Sequence, residues 1–415
     1  MSGKFTLPEL LAPAGNMERF KAALRFGADA VYVGAPTMSL RNFADNFTYP
    51  ELEEACSLAH EKGKKVYLTC NAFAKDCDID TLPDLLINAQ NCRVDALIIN
   101  DPGVIAVAKR VVPDMELHLS TQANTLNSES AKFWHDAAGI KRIVLARELS
   151  LAEIKAMRGR IPDDLELEAF IHGAMCISFS GRCLLSNYLT GRDSNKGECA
   201  QPCRWSYEMR EKGKDGEYYP IEQDERGTHV LNSRDMCMID HLPEVIDSGV
   251  CSLKIEGRMK SVLYVSTVVN AYRMALDHYA ECMESNKPYV LPEKIRNELF
   301  MVSHRPYTTG FAFSDPGADG QATLSSKYVA DCEISGVVLS YDSEKKTALV
   351  RQRNRFFVGD TLSILAPYDV GRSFTVTDMI NKDGEHQTVC PHPNQHLFIP
   401  CDEPLKEGDI LRKAK

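Results

Sequence analysis

The sequence contains no long apolar segment. None of its apolar runs approaches the ~18 residues that a membrane-spanning helix requires, so we expect neither an integral membrane protein nor a membrane partner. The opening residues, MSGKFTLPELLAPAG, lack the apolar core of a secretion signal, which predicts a cytoplasmic protein. With 48 basic against 58 acidic side chains, the chain also lacks the positive excess of a general nucleic-acid coat. Contacts with nucleic acid are therefore expected only at local basic segments.

Three common signatures of hydrolases and zinc proteins are also missing. The sequence has no HExxH zinc motif, no GxSxG nucleophile elbow and no CxxC pair. These absences disfavour a zinc metalloprotease, a serine enzyme of the α/β-hydrolase fold and a zinc ribbon.

The composition is that of a globular protein with many cysteines. The 415 residues are 44% hydrophobic and 26% charged, and 14 of them are cysteine. This length predicts two or three domains, or one large barrel with a smaller module. In a reducing compartment, so many cysteines favour metal or redox chemistry over a disulfide framework.

Short apolar runs alternate with amphipathic helical patterns along the chain, which is typical of a parallel sheet. The runs are Leu10–Ala14, Ala30–Val33, Val66–Cys70, Ala96–Ile99, Leu117–Ser120, Ile143–Ala146, Leu167–Ile171 and Ser252–Glu256. Met17–Arg25 and Glu51–Glu61 have apolar residues spaced three and four apart, as in helices. Eight such units predict the α/β class and a (β/α)8 TIM-like barrel; an open doubly wound sheet is the alternative.

The chain divides into three predicted parts. A barrel occupies residues 1–284, a connector 285–330, and a small C-terminal all-β barrel domain 331–415. Strand seven is expected to end near Ile171, but no helical pattern follows it directly. We therefore expect a cysteine-rich insertion, residues 174–232, on the face that carries TIM-barrel active sites.

A set of polar residues follows the predicted strand ends. These residues are Asn71, Asp101, Gln122, Arg147, Glu148, His172 and Arg258. In a barrel or an open sheet, ligands bind beyond the carboxyl ends of the strands. Any one of these side chains alone is more ordinary as a loop residue that satisfies nearby backbone groups. Their common placement at one rim predicts the active site.

Five cysteines lie close together in the sequence: Cys176, Cys183, Cys199, Cys203 and Cys237. An all-thiolate set with irregular spacing suits an iron–sulfur cluster, whose four ligands can come from distant loops. We expect Cys176, Cys183, Cys199 and Cys237 to be the ligands, and Cys203 could replace Cys199. Cys237 is predicted in the first turns of a helix, whose dipole would stabilise its thiolate. A structural zinc site and a group of buried or redox-active cysteines are the alternatives.

Several long segments of the chain are distinctive. They include PELLAPAG, ALRFGADAVYVG, ELEAFIHGAMCISFSGRC, GECAQPCRWSY, LNSRDMC, LKIEGRMKS and SHRPYTTGF. These segments resemble the U32 peptidase family, and the similarity covers essentially the whole chain, including the small β domain. By motif, Cys176 and Cys183 match the HGAMC…GRC pair, Cys199 matches GECAQPC, and Cys237 matches NSRDMC. The additional Cys203 leaves the third ligand open.

Within that family, the length and architecture are most similar to members that hydroxylate tRNA. This resemblance implies formation of 5-hydroxyuridine at wobble position 34, with prephenate as the hydroxyl donor and an iron–sulfur cluster of the 4Fe–4S type. The expected partners are then tRNA and prephenate, with an electron donor as a further candidate. The alternative is the peptidase activity of the family name, that of a collagenase-like protease, in which Cys176 as nucleophile would pair with His172.

Two arginines are candidates for binding the acid. Prephenate carries two carboxylates, and guanidinium groups bind carboxylates in a bidentate manner. Arg147 and Arg258 are expected to do so, while Arg41 lies in the long second βα loop. The alternative is that the arginines form structural ion pairs with Glu148 or Glu256.

The remaining rim residues complete the expected site. His172 is the candidate general acid–base group, because imidazole titrates near neutral pH. A hydrogen-bonded structural histidine is the alternative. Asp101 and Glu148 complete the expected catalytic set, and Asn71 and Gln122 the expected substrate contacts.

One local basic segment is a candidate for binding tRNA. Arg351, Arg353 and Arg355 alternate in RQRNRFF, so on a strand they would share one face. Phe356 or Phe357 could stack on an unpaired base. The alternative is a solvated edge strand, since residues 331–415 hold 11 basic and 13 acidic side chains.

Overall fold

The computed structural model of the chain describes two compact units. The described residues are 6–40, 46–176, 178–179, 182–205, 223–224, 227–228, 233–316 and 329–415. The first unit comprises Met1–Leu24, Ala28–Lys260 and Arg305–Tyr328, and the second comprises Arg25–Gly27, Ser261–His304 and Val329–Lys415.

Eight parallel strands form a closed barrel in the first unit. They are β1 (Glu9–Pro13), β2 (Ala30–Gly34), β3 (Lys65–Cys70), β4 (Ala96–Ile99), β5 (Glu116–Leu119), β6 (Arg142–Val144), β7 (Glu166–Ala174) and β11 (Ser252–Ile255). Each strand pairs with the next, and β11 pairs with both β7 and β1, which closes the ring. The predicted TIM-like barrel is therefore confirmed, and the open sheet is not observed.

Helices connect the barrel strands. They are α1 (Met17–Arg25), α2 (Tyr49–His60), α3 (Asp76–Ile79), α4 (Leu82–Asn91), α5 (Pro102–Val111), α6 (Ser128–Ala138), α7 (Leu151–Arg158), α8 (Leu185–Thr190) and α9 (Leu242–Asp247). The Thr48 hydroxyl caps the start of α2 and the Ser150 hydroxyl that of α7; a glutamate three residues on completes each capping box. These caps fix where each loop ends and its helix begins.

β7 is longer than the other barrel strands, and its end pairs outside the barrel. There it forms an antiparallel ladder with β10 (Asp235–Cys237), which in turn pairs with β12 (Tyr307–Thr308). The hairpin β8 (Gln223–Asp224) and β9 (Gly227–Thr228) precedes β10. The prediction that Cys237 lies in a helix was therefore wrong. Cys237 ends the strand β10, because the unpaired edge of β7 binds this segment. The next helix, α9, begins only at Leu242.

A buried ion pair joins β10 to the segment SHRPYTTGF. The Asp235 carboxylate accepts hydrogen bonds from Arg305 Nε at 3.0 Å and Nη2 at 2.6 Å, and from the Arg305 backbone N–H at 3.1 Å. Both side chains are almost completely buried. Each charge therefore depends on the other for the interactions that water would otherwise supply.

Charged side chains also occupy the interior of the barrel. The buried Glu168 of β7 accepts a hydrogen bond from Lys254 Nζ of β11 at 2.8 Å and lies 3.4 Å from Arg142 Nη1 of β6. Arg142 in turn donates to Glu9 of β1 at 2.6 Å. Burial opposes ionisation of Glu168, but the charges of Lys254 and Arg142 outweigh it and lower the pKa of this carboxyl group. Glu168 is therefore the buried counter-ion of both cations.

The second unit contains two helices and an antiparallel sheet. Its elements are α10 (Val262–Glu284), α11 (Glu293–Glu298), β13 (Cys332–Asp342), β14 (Thr347–Gln352), β15 (Thr361–Leu365), β16 (Ser373–Thr375), β17 (Ile380–Asn381), β18 (His396–Pro400) and β19 (Ile410–Ala414). The strand order is β16-β15-β19-β13-β14-β18-β17, which confirms the predicted all-β domain. In the described part of the chain, no helix combines the length and apolarity needed to cross a membrane.

The prediction that Arg351, Arg353 and Arg355 share one face of a strand was wrong. β14 ends at Gln352, so Arg351 lies on the strand but Arg353 and Arg355 follow it. The chain leaves the strand where the Asn354 side-chain amide donates to the Ile334 carbonyl at 2.6 Å. Phe356 is fully buried in the sheet core and cannot stack on a base, whereas Phe357 is half exposed.

The Asp235–Arg305 pair is expected to contribute strongly to stability. Replacing Arg305 with Met leaves a buried carboxylate without its partner, which should lower the free energy of unfolding by about 3–5 kcal/mol. Urea denaturation measures this change. The control is Lys132→Met, which breaks the exposed Glu129–Lys132 pair and should cost less than about 1 kcal/mol. Equal losses for the two variants would contradict this account.

Candidate active site

A cavity of about 150 Å³ opens at the carboxyl-terminal end of the barrel strands. The side chains from the strands that line it are Tyr32, Thr69, Ile98, Val144, Phe170 and Lys254. The barrel therefore presents a deep pocket at the end where TIM-barrel enzymes carry their active sites.

Four of the five clustered cysteines line this cavity. They are Cys176, Cys183, Cys199 and Cys203. No disulfide bond joins any of the fourteen cysteines, all of which lie in described parts of the chain. The insertion after β7 thus brings several thiols to the mouth of the barrel.

Hydrogen bonds fasten the insertion to the barrel loops. Arg182 donates through Nε and Nη2 to the Gln122 carbonyl at 3.0 and 2.7 Å. The Phe73 N–H donates to the Asn195 carbonyl at 3.0 Å, and Asn195 Nδ2 donates to the Cys183 carbonyl at 3.2 Å. The backbone around Cys183 is therefore held against the loops that follow β3 and β5.

Backbone N–H groups point at two of the cysteine sulfurs. The Leu185 N–H donates to Cys183 Sγ at 3.4 Å, and the Gln201 N–H donates to Cys199 Sγ at 3.3 Å. Gln201 adopts a left-handed conformation with φ 57° that turns its N–H back towards the sulfur. Backbone N–H groups in this arrangement are the donors that contact the sulfurs of iron–sulfur clusters.

Cys237 occupies a different position from the other four cysteines. It pairs with His172 in the β7–β10 ladder and is not among the residues that line the cavity. Burial and the neighbouring Cys237 and Asp235 raise the pKa of Tyr307, whose ring lies 5.4 Å from that of His172. Cys237 therefore adjoins the buried group that contains the Asp235–Arg305 pair.

A cluster and a single metal ion place different demands on the positions of the cysteine sulfurs. A zinc ion holds each ligand about 2.3 Å away, so its ligands must converge on one point. Among the described residues, no three His, Cys, Asp or Glu side chains are arranged in this way. In a four-iron cluster each thiolate binds a different iron, so the sulfurs stand further apart. In the described part of the chain, four thiols and no histidine line the cavity, a donor set that suits that chemistry.

Three cations and one carboxylate line the cavity. The Arg147 guanidinium stacks on the Phe170 ring at 3.9 Å, and its Nη2 lies 3.8 Å from Glu256 Oε2. Lys254 Nζ lies 4.6 Å from the centre of the Tyr32 ring and donates a hydrogen bond to the buried Glu168 carboxylate. The excess of positive charge suits an anionic ligand.

Arg258 is packed tightly into the cavity wall. Its Nη1 donates to Ser39 Oγ at 2.5 Å and to Thr69 Oγ1 at 3.0 Å, and its Nη2 donates to the Leu40 carbonyl. A Cβ atom on Gly34 would lie 2.3 Å from Nη1. The glycine of the VYVG motif therefore leaves the room that the Arg258 side chain occupies.

Asn71 and Gln122 also lie in the cavity wall, as predicted for substrate contacts. Asn71 Nδ2 donates to Ser120 Oγ at 3.1 Å, and the nearly buried Gln122 is held through its backbone. The amide groups of both residues are therefore placed where a ligand could contact them.

The three predicted catalytic residues do not line the cavity. Asp101 caps α5, accepting hydrogen bonds from the Gly103 and Val104 N–H groups at 2.8 and 3.1 Å. His172 is almost completely buried, and its ring neighbours that of Tyr307. Glu148 is not among the lining residues. Arg351, Arg353 and Arg355 belong to the second unit.

Sequence reasoning missed Lys254 as a cavity residue. The signal was a lysine inside the apolar strand SLKI, where an unpaired charge would be unfavourable. Tyr32 and Phe170 were missed because aromatic residues in buried strands are ordinary core residues. Glu256 was considered only as a partner for an arginine, which is the contact it makes with Arg147.

Several known proteins are similar to this chain in sequence. The chain is 38% identical over 409 residues to tRNA hydroxylation protein P1 of Bacillus subtilis, a match that covers 98% of this chain and 95% of that protein. It is 34% identical over 440 residues to tRNA hydroxylation protein P of Escherichia coli, covering 96% of this chain and 95% of that protein. The match to a collagenase of Porphyromonas gingivalis is 33% over 281 residues, covering 65% of this chain and 66% of that protein.

Two family profiles account for most of the chain. The profile of peptidase family U32 matches residues 15–322, and the profile of the peptidase family U32 C-terminal domain matches residues 330–412. The first match includes the whole barrel from α1 onward and the cysteine-bearing insertion. The chain therefore belongs to peptidase family U32.

Proposed function

We propose that this protein hydroxylates tRNA, forming 5-hydroxyuridine at wobble position 34, with prephenate as hydroxyl donor and a 4Fe–4S cluster as cofactor. The observation that carries the proposal is a single cavity, at the catalytic end of the barrel, lined by both thiols and buried cations. The two long matches to proteins named for tRNA hydroxylation support the same reaction class.

The cysteines supply the ligands of the proposed cluster. Cys176, Cys183 and Cys199 line the cavity, and Cys237 stands on a strand that the β7 ladder holds in place. Cys203 also lines the cavity and is the replacement ligand. When bound, the cluster supplies redox or Lewis-acid chemistry next to the acid. The N–H groups of Leu185 and Gln201 donate hydrogen bonds to the sulfurs of Cys183 and Cys199 that would hold it.

The cations bind the proposed acid. Arg147, Lys254 and Arg258 oppose the single carboxylate of Glu256, which leaves a net positive wall for the two carboxylates of prephenate. The rings of Tyr32 and Phe170 provide an apolar surface beside these charges, against which a six-membered carbon ring can pack. The site thus holds both ends of a small dianionic acid.

The peptidase alternative is less well supported by the cavity. A cysteine nucleophile needs an adjacent base, and among the described residues no histidine lines the wall beside Cys176. His172, expected to be that base or the acid–base group of the hydroxylation, is buried against Tyr307 instead. In the proposal His172 positions Cys237 through the β7–β10 ladder.

Contacts with tRNA are proposed outside the cavity as well. Of the three arginines after Leu349, Arg355 is exposed and Arg351 and Arg353 are half-buried. These side chains can still contribute phosphate contacts in the second unit, although they do not share a strand face.

The reaction itself is the direct test. The anaerobically purified protein, incubated with prephenate and unmodified tRNA, should form 5-hydroxyuridine, detected by mass spectrometry of the digested nucleosides. Omission of prephenate should abolish the product. Cleavage of gelatin by the same preparation, with no hydroxylated nucleoside, would favour the peptidase instead.

The cluster assignment predicts a specific pattern among cysteine variants. The wild type should contain about four irons and as many sulfides per chain. Cys176→Ser, Cys183→Ser, Cys199→Ser and Cys237→Ser should each lose most of this iron. Iron and sulfide analysis, with the visible absorption spectrum, measures the loss.

Two matched variants serve as controls for this experiment. Cys77→Ser changes an exposed thiol on α3 and should keep the iron, as should Cys203→Ser. If Cys203→Ser lost the iron and Cys199→Ser kept it, Cys203 would be the ligand in place of Cys199. Stoichiometric zinc in place of iron would contradict the cluster.

Lys254 is expected to bind a carboxylate of the acid. Lys254→Met should weaken prephenate binding roughly 10–100-fold, because a hydrogen bond to a charged group contributes about 1.5–3 kcal/mol. Isothermal titration calorimetry measures the affinity. Lys155→Met, which removes an exposed lysine paired with Asp247, is the control and should leave binding unchanged. Lys254→Met also leaves the buried Glu168 carboxylate without its partner, which could unfold the protein. The double variant Lys254→Met/Glu168→Gln removes that unpaired charge, so a loss of affinity in it reports binding alone. Wild-type affinity for prephenate in the double variant would show that Lys254 does not bind the acid.

Gly34→Ala should disturb the site through Arg258. The added Cβ would lie 2.3 Å from Arg258 Nη1, so the guanidinium must leave its contacts with Ser39 and Thr69. We expect about 1–3 kcal/mol of lost stability and weaker prephenate binding. Gly159→Ala is the matched control, since its nearest new contact is an ordinary 3.8 Å to the Ala156 carbonyl. Thermal unfolding and calorimetry that place both variants at the wild-type values would refute the packing argument.

A further inference from the structure

Large apolar side chains are exposed on the insertion. Tyr188 of α8 is 84% exposed, and Leu184, which immediately precedes α8, is 73% exposed. The Tyr188 N–H donates to the Leu184 carbonyl at 2.9 Å, so the two residues lie one helical turn apart. We call the following set the rim patch: Phe179, Leu184, Tyr188, Leu189 and Trp205, each at least 41% exposed. Scattered exposed apolar residues are normal, but five on one short segment indicate a binding surface.

The rim patch adjoins the wall of the cavity. Leu185, next to Leu184, lines the cavity, and so does Cys203, two residues before Trp205. The Ala200 N–H donates to Ser186 Oγ of α8 at 2.9 Å, which ties the two parts of the segment together. A partner bound to the rim patch would therefore stand at the entrance to the active site.

The segment that carries the patch is positively charged, although the chain is acidic. Residues 182–205 hold four basic and two acidic side chains, in a chain with a net charge of −10. Arg192 is exposed just after α8, whereas Asp193 turns back to accept a hydrogen bond from the Asn195 N–H at 2.9 Å. Lys196 pairs with Asp78 Oδ2 at 3.1 Å, so the exposed cations described on this surface, beside the aromatic rings, are Arg182 and Arg192.

We propose that the rim patch binds the single-stranded loop of the RNA substrate, with the Tyr188 ring stacked on a base that neighbours the reacting one. This inference rests on the proposed function. Unpaired bases stack on aromatic side chains, and their phosphates are attracted by basic ones, so the two features of the patch match the two features of an RNA loop. The reacting base must unstack from the adjacent bases to enter an enclosed site. An aromatic ring at the entrance can stack on the adjacent base and hold it in place.

Binding of a fluorescein-labelled anticodon stem-loop RNA to the cluster-loaded full chain tests the inference. Tyr188→Ala should raise the Kd about tenfold or more, because a stacked base loses its platform. Tyr188→Phe keeps the ring and should bind as the wild type does. Phe133→Ala removes an exposed ring, 61% accessible, from the barrel helix α6 and should leave the Kd unchanged.

Salt dependence and turnover provide independent readouts. Arg192→Gln should reduce the slope of log Kd against log salt by about 0.7, as expected for one lost phosphate contact on a single strand. In the hydroxylation assay, Tyr188→Ala should raise the KM for tRNA while kcat stays close to the wild-type value.

The outcomes separate this inference from the proposed function. If Tyr188→Ala bound the RNA with the wild-type Kd and hydroxylation were intact, the rim patch would not be an RNA-binding surface, and a protein partner would be its occupant. The proposed function would be unaffected. If Tyr188→Ala weakened RNA binding but the wild type formed no hydroxylated nucleoside with prephenate, the rim patch would be supported as an RNA-binding surface and the proposed reaction would be contradicted. A wild type that neither binds the RNA nor modifies it would overturn both.

Discussion

The buried carboxylate of Glu168 is the constraint on which the site depends. A lysine and an arginine inside a closed barrel would each be unfavourable alone, and Glu168 contacts both, at 2.8 Å from Lys254 and 3.4 Å from Arg142. Glu9 and Glu166 also pair with Arg142, so the Glu168 carboxylate can balance Lys254, whose ammonium group then lines the cavity. The cavity thereby gains positive charge without a flexible loop to carry it. The same arrangement couples the strength of ligand binding to the integrity of the barrel core.

The architecture could be predicted from sequence because the signal is local and repeated. The run Ala96–Ile99 forms a strand with the predicted bounds, and the other strands deviate by only a few residues. Buried parallel strands are continuous apolar runs, so their pattern does not depend on distant partners. The position of Cys237 could not be found in this way. Its strand has three residues and exists because the end of β7 offers an unpaired edge, which is a contact between segments far apart in the chain.

The site was predicted in part, for comparable reasons. Placement after strand ends identified Arg147 and Arg258 as cavity residues, since the barrel brings every strand end to one face. The same rule selected Asp101, although its carboxylate caps a helix; the sequence DPG, with proline at the first helical position, is a capping signature that favours this local role. His172 was selected for its chemistry, but whether a side chain on β7 faces the cavity depends on the register of the ladder. That register shifts between Lys254 and Ile255, where no sequence pattern marks it.

The charged interior also closes the far end of the barrel. Arg142 and Glu9 begin their strands, and Tyr67 donates to Glu9 at 2.7 Å, so the amino-terminal side of the described barrel is filled by side chains that hold one another. Among the described residues, these side chains close the pocket at the amino-terminal end of the strands, and residues of the insertion line its other end. Such a pocket imposes an order of events: a small molecule that sits beneath a macromolecule has to arrive before it and can leave only after it. For an enzyme that acts on a macromolecule, this order of binding would keep a bound small molecule out of contact with bulk water while the macromolecule is in place.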